Sequence, residues 1–166
     1  MVKQKIQRQN VGNAGEYYIA SRLSALNFTA TITLGRAERY DILAVGPTNR
    51  MVKISVKATQ SENAKYFPLS EKDEGGASDD FYYAFVKLNA FKEKPDFWII
   101  PSKVVCPTIK EAEERWMRTP GRSGKKHNTS SMRILPIETT EAQSKLFPKD
   151  WNEKVKLYSE NFGQLL

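Results

Sequence analysis

The spacing of apolar residues along the chain separates helical from extended segments. Apolar residues such as Ile19 and Leu23 recur at intervals of three and four residues, which predicts a helix over residues 11–27. Similar spacing predicts a second helix over residues 102–118, beginning either at the first of these residues or after Pro107. Alternating apolar positions and β-branched residues predict strands at 28–34, 40–45, 51–59, 81–88, 97–100 and 132–137.

The segments between these elements carry turn and loop signals. The sequence GPTN at 46–49 separates two strands as a hairpin turn would, and the polar residues 60–80 are expected to form a loop. Residues 120–131 also have a loop composition, and the tail from about residue 141 is expected to be helical with a break at Pro148. This order of elements predicts a single α/β or α+β domain spanning residues 1–166, with a mixed sheet.

Composition agrees with one globular domain. The 166 residues are 40% hydrophobic and 11% aromatic, which suffices for one core and excludes a disordered chain. We expect neither a membrane span nor a secretory signal, because no apolar run approaches about 18 residues and no apolar region follows the basic first residues. The one cysteine, Cys106, cannot form an internal disulfide, which favours a cytoplasmic protein.

The positive charge of the chain is unevenly distributed. Lys and Arg number 26 against 19 Asp and Glu, a net charge of +7, and residues 115–137 contain no acid at all. A positive region of this kind is what phosphate binding requires, so DNA is the expected partner, although a solvated basic loop would give the same pattern. The candidate DNA-binding residues are Arg115, Arg118, Arg122, Lys125, Lys126 and Arg133.

Two neighbouring predicted strands carry a carboxylate, a hydroxyl and a lysine, which are side chains typical of catalytic sites. Alternation within residues 51–59 places Ser55 and Lys57 on one face of their strand. Asp41 directly precedes the apolar run 42–45, which is typical of a strand buried on both faces. If these strands pair through the turn between them, Asp41 lies near Ser55 and Lys57.

A carboxylate on the first predicted helix also faces the interior. Glu16 precedes Ile19 by three residues and Leu23 by seven, so it shares their apolar stripe. A charged residue directed at a core needs a partner or an ion. We therefore expect four side chains to converge on one cleft: Glu16, Asp41, Ser55 and Lys57.

In this order the residues resemble a known motif. Gly12 and Glu16 form G-x-x-x-E, Asp41 follows, and the strand ISVKAT carries Lys57. The pattern resembles the PD-(D/E)xK nuclease superfamily, most closely its archaeal Holliday-junction-resolvase-like and small restriction-endonuclease-like branches. YDILAVGPTNRMVKISVKATQ is similar to their central hairpin, and PDFWIIPSKVV to the next strand-to-helix passage. Over about residues 10–110, the resemblance implies a restriction-endonuclease-like mixed β-sheet flanked by helices.

The resemblance also implies an activity and a set of roles. It implies an endonuclease that hydrolyses DNA phosphodiester bonds with Mg²⁺, or with Mn²⁺. Asp41 would be the main metal ligand, Glu16 would assist through a second ion or a ligand-bound water, and Lys57 would position or activate the attacking water. Related resolvases and restriction enzymes work as dimers, so the resemblance allows a homodimer.

One position departs from the family pattern. The family has Glu, Asp or sometimes Gln two residues before the lysine, whereas this chain has Ser55, whose hydroxyl brings no charge. Two alternatives to the enzyme therefore stay open. The chain could be a catalytically inactive nuclease-fold protein that binds nucleic acid through its basic segments, or a protein-interaction module that binds its partner through the acidic residues 71–80.

Overall fold

The computed structural model describes residues 6–33, 39–121 and 124–166. Four helices and seven strands lie within these ranges, together with three short 3₁₀ turns. The helices are α1 (Arg8–Ser24), α2 (Ser102–Arg118), α3 (Glu141–Ser144) and α4 (Trp151–Lys156). The strands are β1 (Thr29–Ile32), β2 (Ile42–Val45), β3 (Met51–Thr59), β4 (Tyr66–Ser70), β5 (Phe81–Lys87), β6 (Asp96–Pro101) and β7 (Met132–Pro136).

Five of the strands form one mixed sheet. Their spatial order is β1-β2-β3-β5-β6, in which β3 and β5 are parallel and the other neighbours are antiparallel. The remaining two strands, β4 and β7, pair antiparallel in a separate small sheet. A mixed sheet flanked by helices confirms the predicted α+β class. In the described part of the chain, no helix has the length and apolar character to cross a membrane.

Strand β3 lies at the centre of the large sheet and separates two hydrophobic cores. Its residues Val52, Ile54 and Val56 face one core, which α1 covers with Ile19 and Leu23. The opposite face of the sheet packs against α2, the small sheet and α4. The alternation predicted for this strand is thus realised, with one face directed at each core.

The segment predicted as a loop between residues 60 and 80 contains β4. Phe67 and Leu69 are buried and alternate as strand residues do. Pro68 between them has no N–H to donate, so it is disfavoured in the interior of a sheet. The structure accommodates this proline because a strand in a two-stranded sheet is always an edge strand. Its partner β7 lies more than sixty residues later in the chain, which no local pattern reveals.

Helix boundaries differ modestly from those predicted. Helix α1 begins three residues before the predicted start, and α2 begins at Ser102, so Pro107 lies inside the helix. The tail begins its first helix at Glu141, as expected, and Pro148 lies between the two short helices of this region.

Helix α1 packs tightly against β3 at a glycine. A Cβ atom added to Gly15 would lie 2.5 Å from the Cβ of Ala58, which is fixed to the backbone and cannot rotate away. We expect Gly15→Ala to lower the free energy of unfolding by about 1–3 kcal/mol, measured by urea denaturation. Gly12→Ala in the same helix is the control, because no atom lies within 4 Å of its added Cβ. This variant should gain up to about 1 kcal/mol; equal effects of the two substitutions would contradict the packing argument.

Candidate active site

Asp41 lies where β2 begins and its pairing with β3 ends. Its N–H donates to the carbonyl of Ile54 at 2.9 Å, and its own carbonyl accepts from the N–H of Thr33 at 2.9 Å. Beyond this point β2 offers no backbone partner to β3, and the carboxylate of Asp41 takes that place. Its Oδ2 accepts from the N–H of Val56 at 2.6 Å and from Ser55 Oγ at 3.3 Å. The carboxylate is therefore fixed at the open edge of the central strand.

Ser55 and Lys57 lie on the face of β3 opposite α1, next to the aromatic residues Tyr83 and Phe85 of β5. A cavity of about 420 Å³ opens over this face, and we call it the Asp41 cavity. The segment that follows β4 forms its other side. Five of the residues that line it are charged, namely Arg39, Asp41, Lys57, Lys72 and Asp73, and Ser55 and Ser70 add hydroxyl groups.

Asp73 is one of the residues of this cavity that the sequence patterns did not indicate, together with Arg39 and Lys72. It lies in the 3₁₀ turn Glu71–Glu74, where its Oδ2 accepts from the N–H of Ser70 at 2.8 Å and from Ser70 Oγ at 2.9 Å. Its Oδ1 accepts from the hydroxyl of Tyr83 at 3.2 Å and lies 3.9 Å from Lys57 Nζ. The Ser-x-x-Asp spacing at 70–73 is a capping-box signal that could have indicated an ordered turn here.

Glu16 approaches Asp41 from the other side of the sheet. It lies on α1, which covers the face opposite Ser55 and Lys57, and it is not among the residues that line the Asp41 cavity. Partial burial, followed by the negative charge of Asp41, raises the pKa of the Glu16 carboxyl. The cavity thus brings together Asp41, Ser55 and Lys57. Glu16, which was expected in the same cleft, does not line it and lies on the α1 side, where the charge of Asp41 acts on it.

The oxygen donors around Asp41 limit the kind of metal site that could form. Within residues 6–33, 39–121 and 124–166, no three His, Cys, Asp or Glu side chains are arranged to hold a metal ion. Mg²⁺, however, commonly takes one or two carboxylates and fills its other positions with water and substrate phosphate. Asp41 Oδ1 accepts no hydrogen bond from the described residues, and Ser55 Oγ lies next to the same carboxylate. The donor set therefore fits a hydrated, weakly held hard cation.

The acid-free stretch 115–137 does not form an acid-free surface. Arg133 is 9% exposed and pairs closely with Glu74 and, at 3.4 Å, with Glu113 of α2. Burying an arginine between two carboxylates satisfies its charge but leaves it no face for a polyanion. This placement corrects the assignment of Arg133 to a DNA-binding surface, because acids distant in sequence surround it in space.

The other predicted DNA-binding residues differ in how exposed they are and in whether they pair with an acid. Arg115 pairs with Glu111 at 3.1 Å and donates to the carbonyl of Leu146, so it holds α2 to the segment after α3. Arg118 is 80% exposed at the side chain and pairs with Glu114 at 3.7 Å. Lys125 and Lys126 are exposed, and Arg122 lies outside the described residues.

Comparison with known proteins gives a fold likeness without a family. No protein-family model matches the chain, and no curated protein matches it. Among solved structures it is similar to the bacterial homing endonuclease I-Ssp6803I, with a TM-score of 0.51 and 14% identity over 94% of this chain and 90% of that one. A Holliday junction resolvase, Hjc from the archaeal hyperthermophile Archaeoglobus fulgidus, aligns with a TM-score of 0.45 and 16% identity over 82% of this chain and 89% of that one. The likeness to the homing endonuclease is one of fold.

The raised pKa of Glu16 predicts a pH-dependent effect on stability. Because the pKa of Glu16 is raised in the folded state, ionising this carboxyl lowers the free energy of unfolding. This loss of stability begins as the pH rises through the pKa of the unfolded state, about 4.3, and is complete above the pKa of the folded state. Glu16→Gln should therefore raise the free energy of unfolding at pH 7 and leave it unchanged below pH 4. Urea denaturation at both pH values measures this, with Glu114→Gln at an exposed position of α2 as a control that should change little. A loss of stability at pH 7 would contradict the prediction.

Proposed function

We propose that this protein is a metal-dependent endonuclease that hydrolyses phosphodiester bonds of DNA. The observation that carries the proposal is the Asp41 cavity, in which a carboxylate, a hydroxyl and a lysine meet at the open edge of the central strand. The fold likeness to a homing endonuclease supports the same class of activity. Mg²⁺ is the proposed cofactor, and Mn²⁺ could replace it because both accept oxygen ligands.

Each residue of the cavity has a proposed role. Asp41 would hold the cation, with Ser55 Oγ as a neutral oxygen beside it and Glu16 in support from the α1 side. A divalent cation bound there would neutralise charge on the phosphate and lower the pKa of the attacking water. Lys57 would orient that water and stabilise the charge that develops on the phosphoryl oxygens.

The mouth of the cavity is suited to a phosphate backbone. Arg39 and Lys72 are exposed and line the cavity with Lys57, so three cations stand against the carboxylates of Asp41 and Asp73. We propose that Arg39 and Lys72 bind the phosphates that flank the scissile bond. Lys125, Lys126 and Arg118 are also exposed, and we propose that they bind further phosphates of the DNA. A homodimer would present two such cavities to the two strands of a duplex.

Ser55 favours a second candidate, a catalytically inactive nuclease-fold protein that binds nucleic acid or a protein partner. Ser55 is 5% exposed, and its hydroxyl supplies no negative charge where a second carboxylate would strengthen metal binding. Cleavage and binding must therefore be measured separately.

Nicking of supercoiled DNA across a Mg²⁺ and Mn²⁺ series tests the enzyme. With one carboxylate at the cavity edge, cleavage should be slow and should need about millimolar metal. Ser55→Glu should lower the metal concentration for half-maximal rate, because it adds a second anion next to Asp41. Ser55→Gln, of the same size and without charge, should not, and Lys57→Ala should abolish nicking. If none of the proteins nicks DNA while all bind it, the inactive alternative replaces the enzyme.

DNA affinity measured against salt tests the binding surface. The logarithm of the binding constant should fall linearly with the logarithm of salt concentration, since cations that bind phosphates release counterions. Reversing charge at Arg39 and Lys72, or at Lys125 and Lys126, should weaken binding to any sequence. Each cation that no longer binds a phosphate should reduce the salt slope by about one. Lys156→Glu on α4 is the matched control and should change neither quantity; affinity that ignores salt and all these substitutions would exclude DNA as the partner.

A further inference from the structure

Two lysines on the same face of β3 are each paired with an aspartate from the segment between β4 and β5. Lys53 Nζ lies 2.8 Å from Asp80, and Lys57 Nζ lies 3.9 Å from Asp73. Both aspartates follow β4 within eleven residues, but only the second pair lies in the Asp41 cavity. The chain therefore carries an ion pair inside the cavity and a similar one outside it.

Asp73 is held in place by a set of groups that leaves it little freedom. Both of its oxygens accept hydrogen bonds, from Ser70 on one side and from Tyr83 on the other. Tyr83 is 2% exposed, and burial together with the charge of Asp73 raises the pKa of its hydroxyl. The hydroxyl consequently stays protonated and remains a donor to Asp73.

The turn that carries Asp73 is also anchored from outside the cavity. The next residue, Glu74, pairs with buried Arg133, which in turn pairs with Glu113 of α2. Three elements, namely the 3₁₀ turn, β7 and α2, are thus joined through one arginine. This arrangement fixes the backbone on which the Asp73 carboxylate stands.

We propose that Asp73 is the positioning residue for Lys57, keeping the lysine ammonium directed into the Asp41 cavity. The inference rests on the proposed function and adds a residue to it that the sequence pattern did not contain. Asp73 differs from Asp41 in that both its oxygens are already occupied by donors from the chain, whereas Asp41 Oδ1 accepts none from the described residues. Asp73 therefore acts on the lysine, while Asp41 keeps an oxygen that accepts no hydrogen bond from residues 6–33, 39–121 and 124–166.

A readout that does not depend on cleavage tests the pairing itself. Reductive methylation converts each lysine to a dimethylammonium group of unchanged charge, whose ¹³C methyl signal is broad when the group is held and sharp when it is mobile. The Lys57 signal, assigned with Lys57→Arg, should sharpen in Asp73→Asn and stay as in the wild type in Asp80→Asn. The Lys53 signal should behave in the opposite way, so each variant is the control for the other.

Cleavage kinetics then test whether releasing Lys57 slows the reaction. Asp73→Asn should lower kcat by about 10- to 100-fold, because a small displacement of a reacting group is costly, while KM for DNA stays level or falls as a negative charge is removed. Tyr83→Phe, which removes only the hydroxyl that holds Asp73, should lower kcat less and in the same direction. Asp80→Asn should leave both constants unchanged.

Several outcomes would overturn the proposal. These are an unchanged Lys57 signal in Asp73→Asn, sharpening of the Lys57 and Lys53 signals together, and full kcat in Asp73→Asn. A rise in the Mg²⁺ concentration that Asp73→Asn needs would make Asp73 a metal ligand instead. Absence of nicking by the wild-type protein would remove the proposed function alone, since the methyl spectra still decide whether Asp73 holds Lys57.

Discussion

The site depends on one hydrogen bond, from the N–H of Val56 to the carboxylate of Asp41 at 2.6 Å. It stands where the ladder between β2 and β3 stops, so a side chain replaces the backbone partner that a longer strand would provide. An unsatisfied backbone N–H in this position would be costly, and the carboxyl group of Asp41 removes that cost. This one hydrogen bond therefore satisfies the backbone of β3 where its pairing with β2 ends, and it also fixes the position of the candidate catalytic carboxylate.

The negative charge near this hydrogen bond comes from separate elements of the fold. Ser55 places a neutral hydroxyl beside Asp41, and the second carboxylate of the cavity comes from Asp73 on a different element. The two acids stand in different electrostatic surroundings, since Asp73 faces Lys57 and Asp41 faces Glu16. The charge of Asp73 is balanced by Lys57, while the charge of Asp41 raises the pKa of Glu16.

Local patterns in the sequence were sufficient where the structure is local. Alternation in β3 correctly separated Ser55 and Lys57 from the residues under α1, and the order of strands gave the mixed sheet. The patterns failed where distant segments meet. Nothing near Pro68 indicates its partner strand β7, and nothing near Arg133 indicates that Glu74 and Glu113 enclose it. Asp73 was missed for the same reason, because the spacing from Ser70 indicates only a turn and the fold brings that turn next to Lys57.

The small sheet makes one side of the cavity costly in chain entropy. Pairing Ser70 with Met132 closes a much longer loop than pairing Ile42 with Ile54, and closing a longer loop costs more chain entropy. The side of the cavity that carries Asp73 is consequently the costlier half to assemble, and long-range pairing of this kind is slow to form. A newly made chain has no β7 until residues 132–136 have been synthesised, so the hairpin that bears Asp41 can exist before the half that bears Asp73. During synthesis, the hairpin of the large sheet can therefore form before the cavity is complete.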